Sequence, residues 1–322
     1  MVSESFVDIF STNEIDLNRG SHMTSPTDTL HPDAIDSEHP IPEAARRPDF
    51  ALSEVDLEHW ERDGYIVVKR LFGTDEVDTI REKFDRVAAS DRPIPGYWEP
   101  DFDATDPLKR YPRVMHPHRW DRMCRAKMLK PETGAALRQL MNEEPVACQL
   151  MYFFKPPGSP GQALHQDNFY LAVAPDTCIA AWTAIDPAEP DNGGLYVVPG
   201  THRDDIQCPT ASELEKTRRS NLAEVPDGKK AVPVELDPGD TLFFNGSVIH
   251  GSPRNKTTDR WRRSFICHYM PKSSTKVNQA YFPIHDFTGR VIEYEAASSG
   301  GPCGYKPGEG PKYNTYGVDA QF

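Results

Sequence analysis

Short apolar runs separated by turn residues dominate the chain from Val146 onward. In order they read ACQLMYFFK, ALHQDNFYLAV, CIAAWTAI, GLYVVPG, VPVEL, TLFFNGSVIHG and RRSFICHYM, with Pro-Gly and Asn-Gly-Gly turn signals among them and a polar interval at 203–230. Strands of this length at this spacing are typical of a sandwich or jelly roll. The pattern therefore predicts a β core over about residues 146–271, in which each run is a strand.

Helical spacing comes before the β core. A short helix capped by Ser53 is predicted first, and a strand follows at 65–72. Apolar residues recur at helical spacing over 74–90, and a further helix is expected at 131–143. Residues 90–130 show no clear period, so we expect loops there. The predicted fold class is mainly β with flanking helices.

Both ends of the chain differ in composition from the middle. Prolines and polar residues fill 24–50, and the string RGSHM at 19–23 resembles the remnant of a cloning tag. The end of the chain is rich in glycine and proline. Such segments have few apolar groups to bury. We therefore predict a tag-like, disordered leader over 1–51, a single domain over 52–297 and an irregular tail over 298–322.

The chain of 322 residues is acidic, because 36 lysines and arginines stand against 49 aspartates and glutamates, a formal charge of −13. This balance argues against nucleic acid as a partner, since nucleic acid requires a basic surface. No apolar window approaches the roughly 20 residues of a membrane span. Six scattered cysteines without a C-x-x-C pair indicate free thiols. We expect a cytoplasmic protein, monomeric or homodimeric, that acts on a small molecule and has no membrane partner.

Candidate metal ligands lie in two of the predicted strands. His165 and Asp167 are two residues apart in ALHQDNFYL, which places both side chains on one face of a strand. His250 lies 85 residues after His165, where a facing strand could supply a third ligand. Two imidazoles and one carboxylate leave three coordination positions open, the arrangement of non-haem Fe(II) oxygenases. The pattern therefore indicates an iron site.

A pair of arginines follows the last of these ligands. Arg262 lies twelve residues beyond His250, beside Arg263, at the start of the next apolar strand. A guanidinium there can bind a carboxylate through two charge-assisted hydrogen bonds, so we expect an acidic co-substrate that chelates iron at its other end. Strand alternation places Arg262 and His268 on one face and Arg263 on the other, so only one arginine can face inward. His268 itself is interpreted as a packed core histidine.

The ordered set of these motifs resembles the phytanoyl-CoA dioxygenase family of Fe(II)/2-oxoglutarate-dependent oxygenases. The resemblance runs from about Leu52 to Pro271 and rests on RDGYIVVKRLF, MYFFKPPGS, LHQDNFYL, AAWTAID, NGGLYVVPGTHR, PGDTLFFNGSVIHGS and RRSFICHY. It implies a double-stranded β-helix, which is a jelly roll of the cupin type. It also implies that His165, Asp167 and His250 hold Fe(II), with 2-oxoglutarate and O₂ as co-substrates.

The resemblance also implies roles for further residues. One arginine would anchor 2-oxoglutarate, and the insertion TTDRW at 257–261 leaves the alignment open between Arg262, which we prefer, and Arg263. By position in the family, the residues expected to line the 2-oxoglutarate pocket are Gln149, Trp182 and Thr183. Two residues just after the iron motif, which could face the substrate, are Asn168 and Tyr170.

The expected reaction is an oxidation. Related enzymes that halogenate carry a small residue at the position of Asp167, so the carboxylate favours hydroxylation, desaturation or oxidative ring closure. We expect a small polar metabolite as substrate, for example in antibiotic or amino-sugar biosynthesis, and the acidic chain favours a neutral or cationic one. The alternatives that stay open are a phytanoyl-CoA-like acyl hydroxylase, a non-redox cupin-type metal hydrolase or epimerase, and a non-catalytic binding scaffold.

Overall fold

The computed structural model describes residues 50–175, 177–207 and 223–297. The predicted leader over 1–51 lies outside the described residues except for its last two positions, and the predicted tail over 298–322 lies outside them entirely. Part of the polar interval, 208–222, lies outside them as well. Every described element belongs to one compact unit, residues 32–322. The domain boundaries at 52 and 297 stay predictions.

The described residues form six α-helices, α1 (Glu54–Asp63), α2 (Thr74–Ala89), α3 (Pro107–Arg110), α4 (Arg122–Met128), α5 (Pro131–Met141) and α6 (Asn168–Leu171). Their strands are β1 (Tyr65–Val68), β2 (Val114–Met115), β3 (Pro145–Phe153), β4 (Gln162–His165), β5 (Ile179–Ala184), β6 (Leu195–Val197), β7 (Val232–Val234), β8 (Thr241–Asn245), β9 (His250–Ser252), β10 (Ser264–Pro271), β11 (Lys276–Val277), β12 (Ile284–Asp286), β13 (Val291–Ile292) and β14 (Glu295–Ala296). Within these ranges, no helix has the length and apolar character needed to cross a membrane.

Two sheets form the core. The larger sheet has the order β1-β8-β5-β10-β3-β12-β13, with β2 paired to β3, and the smaller has the order β4-β9-β6-β7. Strand pairs in both sheets are antiparallel, as the registers of β10 with β3 and of β4 with β9 illustrate. β11 and β14 pair separately. The architecture is a double-stranded β-helix, so the predicted fold class, mainly β with flanking helices, is confirmed.

The hydrophobic core fills the space between the two sheets. One cluster joins side chains of the larger sheet to side chains of the smaller sheet, and its members include Met151, Trp182, Phe244, Ile266, Leu195 and Val197. Each fully buried side chain of this size contributes about 1.5–3 kcal/mol. The central strands β3, β5 and β10 are buried along nearly their whole length. Their outer face is covered by helices, since Phe84 of α2 stacks on Tyr152 of β3 at 3.8 Å between ring centroids.

The N-terminal helices form as the sequence predicts. Ser53 caps α1 through a capping box, in which its Oγ accepts a hydrogen bond from Asp56 N at 3.1 Å. The Asp56 carboxylate accepts one in return from Ser53 N at 3.0 Å. α2 buries the apolar positions that recur at helical spacing, namely Val77, Ile80, Phe84 and Val87.

The interval 90–130 is not all loop, and the expectation of loops there is corrected. It contains α3, β2 and α4. α4 begins after Asp121, whose Oδ1 accepts a hydrogen bond from Cys124 N at 2.8 Å. The helix buries Cys124 and Met128. Seven residues with two buried positions are too few for a helical period to stand out among the arginines and lysines.

Two of the predicted strands are interrupted. In ALHQDNFYLAV, β4 ends at His165 and α6 follows, because the Asn168 side chain bonds both Val173 N at 3.0 Å and Val173 O at 3.2 Å. In TLFFNGSVIHG, Asn245 Oδ1 accepts a hydrogen bond from Ser247 N at 2.9 Å, which turns the chain. The two halves of that run, β8 and β9, consequently lie in different sheets.

A tight turn before β8 packs against the segment that follows β1. Gly239 has a φ of +90°, and its carbonyl accepts a hydrogen bond from Phe72 N at 3.0 Å. A Cβ on Gly239 would lie 2.2 Å from the carbonyl oxygen of Phe72. Both the backbone conformation and the close approach therefore require glycine at this position.

We expect Gly239→Ala to destabilise the protein more than Gly96→Ala. Gly96 also has a positive φ, +76°, but a Cβ there would meet no atom within 4 Å. Gly96→Ala should therefore cost only the backbone strain, about 1–2 kcal/mol, and Gly239→Ala roughly 1–3 kcal/mol more from the steric clash. Chemical denaturation of the two variants measures the difference. Equal losses of the free energy of unfolding would contradict the packing argument.

Candidate functional site

His165 and His250 lie opposite each other on paired strands. β4 pairs with β9, and in this register His165 is the partner of His250. Their ring centroids are 4.2 Å apart, and both side chains are buried. The register of two short strands therefore brings together two histidines that are 85 positions apart in the sequence.

Asp167 does not share a strand with His165, so the prediction that both lie on one strand face is corrected. The backbone leaves β4 after His165, and Asp167, with φ −66° and ψ −36°, starts α6. Its Oδ1 lies 3.5 Å from Nε2 of His165 and 3.6 Å from Nε2 of His250. The turn into α6 brings the Asp167 carboxylate close to His165. The prediction had placed the two side chains together through strand alternation.

Backbone carbonyls orient the two imidazole rings. Nδ1 of His165 lies 2.7 Å from Ala163 O, and Nδ1 of His250 lies 3.0 Å from Val248 O. A carbonyl oxygen only accepts, so each Nδ1 carries the proton and each Nε2 keeps a free lone pair. Both lone pairs are therefore available on the side of Asp167.

The three side chains fit a divalent metal ion. Their ligand atoms lie within 4.8 Å of one another, and no other such group of histidine, cysteine or carboxylate ligands occurs in the described part of the chain. Ligand atoms that are each about 2.1 Å from an ion are roughly 3–3.5 Å apart, so a small inward movement suffices. Nε2 of Gln162 lies 3.0 Å from Nε2 of His165, and this amide must turn aside when an ion binds.

Electrostatics favour the protonation states that bind a metal. Burial alone would raise the pKa of Asp167, but the neighbouring histidines, His250 and His268 first among them, hold that pKa well below its ordinary value. Burial lowers the pKa of His250 to about 4. At neutral pH the site therefore offers a carboxylate and a neutral imidazole, as metal binding requires.

Arg262 is buried beside the metal group and has no acidic partner in the part of the chain that the structure describes. Its Nε donates to Gly193 O at 3.0 Å and its Nη1 donates to Ser264 Oγ at 2.9 Å, while its guanidinium lies 5.2 Å from the Trp182 ring centroid. Among the described residues no carboxylate lies within 4 Å of it. Burial lowers the pKa of Arg262 to about 9, so it is still charged at neutral pH. A buried charge of this kind calls for an anionic ligand.

Arg263, the alternative anchor, is already neutralised. Its Nε and Nη2 donate to the two carboxylate oxygens of Asp186 at 2.8 and 2.9 Å, and its Nη1 donates to Asp85 at 2.6 Å. Burial opposes this charge, yet the hydrogen bonds and the attraction of Asp186 raise the pKa of Arg263. The two adjacent arginines thus face opposite ways, and Arg262 is the one that lines the cleft.

The segment between His250 and Arg262 is held at both ends. After β9, Lys155 Nζ donates to Ser252 Oγ at 2.7 Å and to Pro253 O at 2.6 Å. The carbonyl of Lys155 accepts a hydrogen bond from Arg262 N at 3.1 Å. Between them, Asn255 Nδ2 donates to Arg260 O at 2.7 Å and closes the loop on itself.

Two of the three residues expected to line the 2-oxoglutarate pocket lie at the cleft that contains the metal group. Gln149 and Trp182 both line this cleft, and their role toward 2-oxoglutarate stays a prediction. Thr183 does not line it, which corrects the sequence-based prediction, because its hydroxyl bonds Thr241 Oγ1 at 2.8 Å. Adjacent residues of a strand point to opposite faces, so Trp182 and Thr183 cannot both face the cleft.

Of the two residues predicted to contact the substrate, one lines the cleft and the other does not. Tyr170 lines the cleft. Asn168 is buried, and its side chain is engaged with the backbone of Val173 at the end of α6. The structure therefore brings Tyr170 to the site and uses Asn168 to hold the turn that carries Asp167.

Sequence reasoning missed several cleft residues. Nε2 of His268 lies 2.9 Å from Oδ2 of Asp167, so this histidine contacts the metal group and its interpretation as a packed core residue is corrected. Its place on the inward face with Arg262 was the signal that could have found it. Arg113, Gln162 and Tyr281 also line the cleft. No pattern in the sequence around these three indicated their position.

Fold and site together define a non-haem iron- and 2-oxoglutarate-dependent oxygenase. The family model "Phytanoyl-CoA dioxygenase (PhyH)" matches residues 60–264, which include the metal group and Arg262. The chain belongs to this phytanoyl-CoA dioxygenase family.

Curated relatives agree with this assignment. "Phytanoyl-CoA dioxygenase, peroxisomal" of Bos taurus is 26% identical over 249 residues, which is 73% of this chain and 74% of the relative. "Phytanoyl-CoA dioxygenase 1" of Oryza sativa subsp. japonica is 33% identical over 117 residues, which is 36% of this chain and 42% of the relative.

Solved structures share the fold. The epimerase SnoN, in complex with Fe3+, alpha ketoglutarate and nogalamycin RO, has a TM-score of 0.58 at 21% identity, over 69% of this chain and 84% of SnoN. The carbocyclase SnoK from nogalamycin biosynthesis has a TM-score of 0.57 at 22% identity, over 70% of this chain and 86% of SnoK. HygX of Streptomyces hygroscopicus, with nickel and 2-oxoglutarate bound, has a TM-score of 0.53 at 19% identity, over 69% of this chain and 88% of HygX.

We expect His165→Ala and His250→Ala each to abolish retention of a divalent metal, because two remaining ligands hold an ion far more weakly than three. Metal content per chain after loading with Fe(II) under anaerobic conditions and gel filtration measures this. His59→Ala is the control, since His59 pairs with Asp63 on α1 and takes no part in the site. Full metal retention in either ligand variant would show that the ion binds elsewhere.

Proposed function

We propose that this protein oxidises a small polar metabolite, by hydroxylation or oxidative ring closure, using Fe(II), 2-oxoglutarate and O₂. In this proposal His165, Asp167 and His250 hold the iron and Arg262 anchors 2-oxoglutarate, within a catalytic domain over 52–297. The observation that carries the proposal is the buried guanidinium of Arg262, which has no carboxylate partner among the described residues and shares one cleft with three metal ligands.

The residues of the chain provide binding, orientation and exclusion of water. Bound iron supplies the oxidising chemistry together with 2-oxoglutarate and O₂. The guanidinium of Arg262 can hold the distal carboxylate of 2-oxoglutarate through two parallel hydrogen bonds. The Trp182 ring, 5.2 Å from that guanidinium, covers it and keeps water away from the ion pair.

Charges in the cleft bear on the substrate. Within the described lining, Asp167 is the only carboxylate and it belongs to the metal group, whereas Arg113 and Arg262 are cations. The formal charge of −13 therefore does not extend to the described cleft wall. A neutral polar substrate suits this wall better than the cationic one that the overall charge favours.

Biosynthesis of an antibiotic or amino sugar is the proposed setting. SnoN and SnoK, two proteins of similar fold, are named for nogalamycin biosynthesis. Tyr170 and Tyr281 line the cleft, and their hydroxyls and rings suit a molecule with both polar and apolar faces.

Hydroxylation of an acyl-CoA is a second candidate. The observation that favours it is the similarity to the bovine relative named phytanoyl-CoA dioxygenase. Apolar side chains at the cleft, including Phe153, Leu171 and Leu195, could contact an acyl chain.

The cytoplasm stays the proposed location. The described cysteines are free and buried, which agrees with a reducing compartment, and they are Cys124, Cys148, Cys178 and Cys267. Assembly as a monomer or homodimer stays a prediction.

The test is co-substrate turnover. Protein loaded with Fe(II) and 2-oxoglutarate without oxygen is mixed with air and a panel of neutral sugars, aminoglycosides and acyl-CoA thioesters, and succinate and O₂ uptake are measured. Succinate formed in step with one oxidised panel member supports the oxygenase and identifies its substrate class. Absence of 2-oxoglutarate-dependent O₂ uptake with the entire panel, in protein that holds iron, would favour a non-redox hydrolase or epimerase.

We expect Arg262→Leu to raise the 2-oxoglutarate concentration needed for half-maximal succinate formation by roughly 30-fold or more, since removing a buried charge partner costs about 2 kcal/mol or more. The Fe(II) requirement should change little, because Arg262 makes no contact with the three ligands. Arg263→Leu is the matched control and should lower the melting temperature, through loss of the pairs with Asp186 and Asp85, with the 2-oxoglutarate requirement unchanged. A larger 2-oxoglutarate effect in Arg263→Leu would assign the anchor to Arg263.

A further inference from the structure

The two oxygens of the Asp167 carboxylate have different partners. Oδ1 is the oxygen that approaches His165 and His250, at 3.5 and 3.6 Å from their Nε2 atoms. Oδ2 lies on the other side, 2.9 Å from Nε2 of His268. One oxygen of the carboxylate therefore faces the position of the metal ion, and the other contacts His268 of β10.

His268 is well placed to act on this carboxylate. It lies on a central strand of the larger sheet, where its Cα is paired with Gln149 on β3 and with Ala180 on β5. Its side chain is 2% exposed. A buried side chain on a strand that is paired along both edges has little freedom to follow Asp167, so we expect the carboxylate to adjust to the ring.

The tautomer of His268 follows from its surroundings. Nδ1 is buried and has no hydrogen-bond partner among the described residues. An ionised carboxylate only accepts, so the hydrogen bond to Oδ2 requires a proton on Nε2. The Nε2–H tautomer satisfies this bond and leaves on the buried side only an unprotonated nitrogen.

We infer that His268 is a positioning residue for the metal centre: by donating Nε2–H to Oδ2, it leaves Oδ1 as the single oxygen that Asp167 offers to the ion. This inference rests on the proposed function. A carboxylate can bind a metal through one oxygen or through both, and the second mode occupies an additional position. Fixing Oδ2 therefore preserves the open positions that 2-oxoglutarate and O₂ require.

The size of the effect can be estimated from other metal sites. Residues that orient a metal ligand through a hydrogen bond typically contribute 10–100-fold in metal affinity. Asp167 depends on such a residue more than the histidines do, because their rings are fixed by bonds to Ala163 O and Val248 O. Asp167 stands at the first turn of α6, a helix of only four residues.

Two amide substitutions at His268 separate the hydrogen bond from packing. In His268→Gln the amide NH₂ can reach the place of the imidazole Nε2, whereas in His268→Asn the side chain is too short. Co(II) titration in the absence of oxygen gives the metal affinity, and the visible spectrum of bound Co(II), with and without 2-oxoglutarate, reports its coordination. We expect His268→Asn to lose about 10–100-fold in Co(II) affinity and to change the spectrum, and His268→Gln to restore most of both.

The same two substitutions at His285 are the matched control. His285 is also buried, at 3% exposed, and lies on β12, which pairs with β3. Its contacts within the described residues, with Gly289 O and the His118 ring, lie outside the metal group, so His285→Gln and His285→Asn should bind Co(II) as the unchanged protein does. Equal losses at His268 and His285 would mean that a general disturbance of the sheet, and no specific hydrogen bond, lowers the affinity.

If the variants do not fold, the inference can still be tested by a measurement on the unchanged protein. With ¹⁵N-labelled histidine, NMR of the metal-free protein should show His268 as the Nε2–H tautomer, and the Nδ1–H tautomer would overturn the inference. Equal Co(II) affinity and spectra in the Gln and Asn variants would overturn it as well. Failure of the unchanged protein to bind Co(II) would instead refute the proposed function, so the two failures are distinguishable.

Discussion

The rest of the structure depends on the pairing of β4 with β9. These strands have four and three residues, too few to hold a register by their own ladder, yet a slip of one residue would turn His250 to the opposite face. Contacts from outside fix β9. Thr201 Oγ1 accepts a hydrogen bond from Ile249 N at 2.9 Å just before the strand, and Lys155 bonds Ser252 at its end. The larger sheet, which carries Lys155 beyond β3, therefore serves as the rigid reference for the metal ligands.

Electrostatics divide the cleft into two parts. On one side, a carboxylate is held in its ionised form among histidines. On the other, the buried cation Arg262 has no carboxylate within 4 Å in the described part of the chain. Buried charges without a counter-ion destabilise a fold. A dianion that spans both parts, bound to metal at one end and to a cation at the other, removes this cost, so the folded protein should be stabilised by the ligands that its chemistry needs.

Much of this arrangement could be predicted from the sequence, and the failures have physical reasons. The apolar runs and the helical spacing of α2 predicted the β core and its flanking helix, because apolar side chains are the ones that become buried. The order of His165, Asp167, His250 and Arg262 indicated the site. The turn at Asp167 escaped prediction, because it is held by bonds from the Asn168 side chain to the backbone of Val173, which no apolar pattern reveals. Thr183 and His268 were misassigned for a related reason: strand alternation gives the face of a residue, but the partner it meets there depends on the tertiary packing of other strands.

The loop between His250 and Arg262 has a consequence for how such enzymes can diverge. Asn255 bonds the carbonyl of Arg260 and so closes residues 256–259 into a lobe whose two ends meet, while Lys155 fixes the chain on both sides of it. Residues can be added to a closed lobe without shifting either end. The number of residues between the last metal ligand and the arginine can therefore change while their distance in space stays the same. The number of residues after His250 is then a poor guide to which arginine binds 2-oxoglutarate. The hydrogen bonds that close the lobe at its two ends are a better guide.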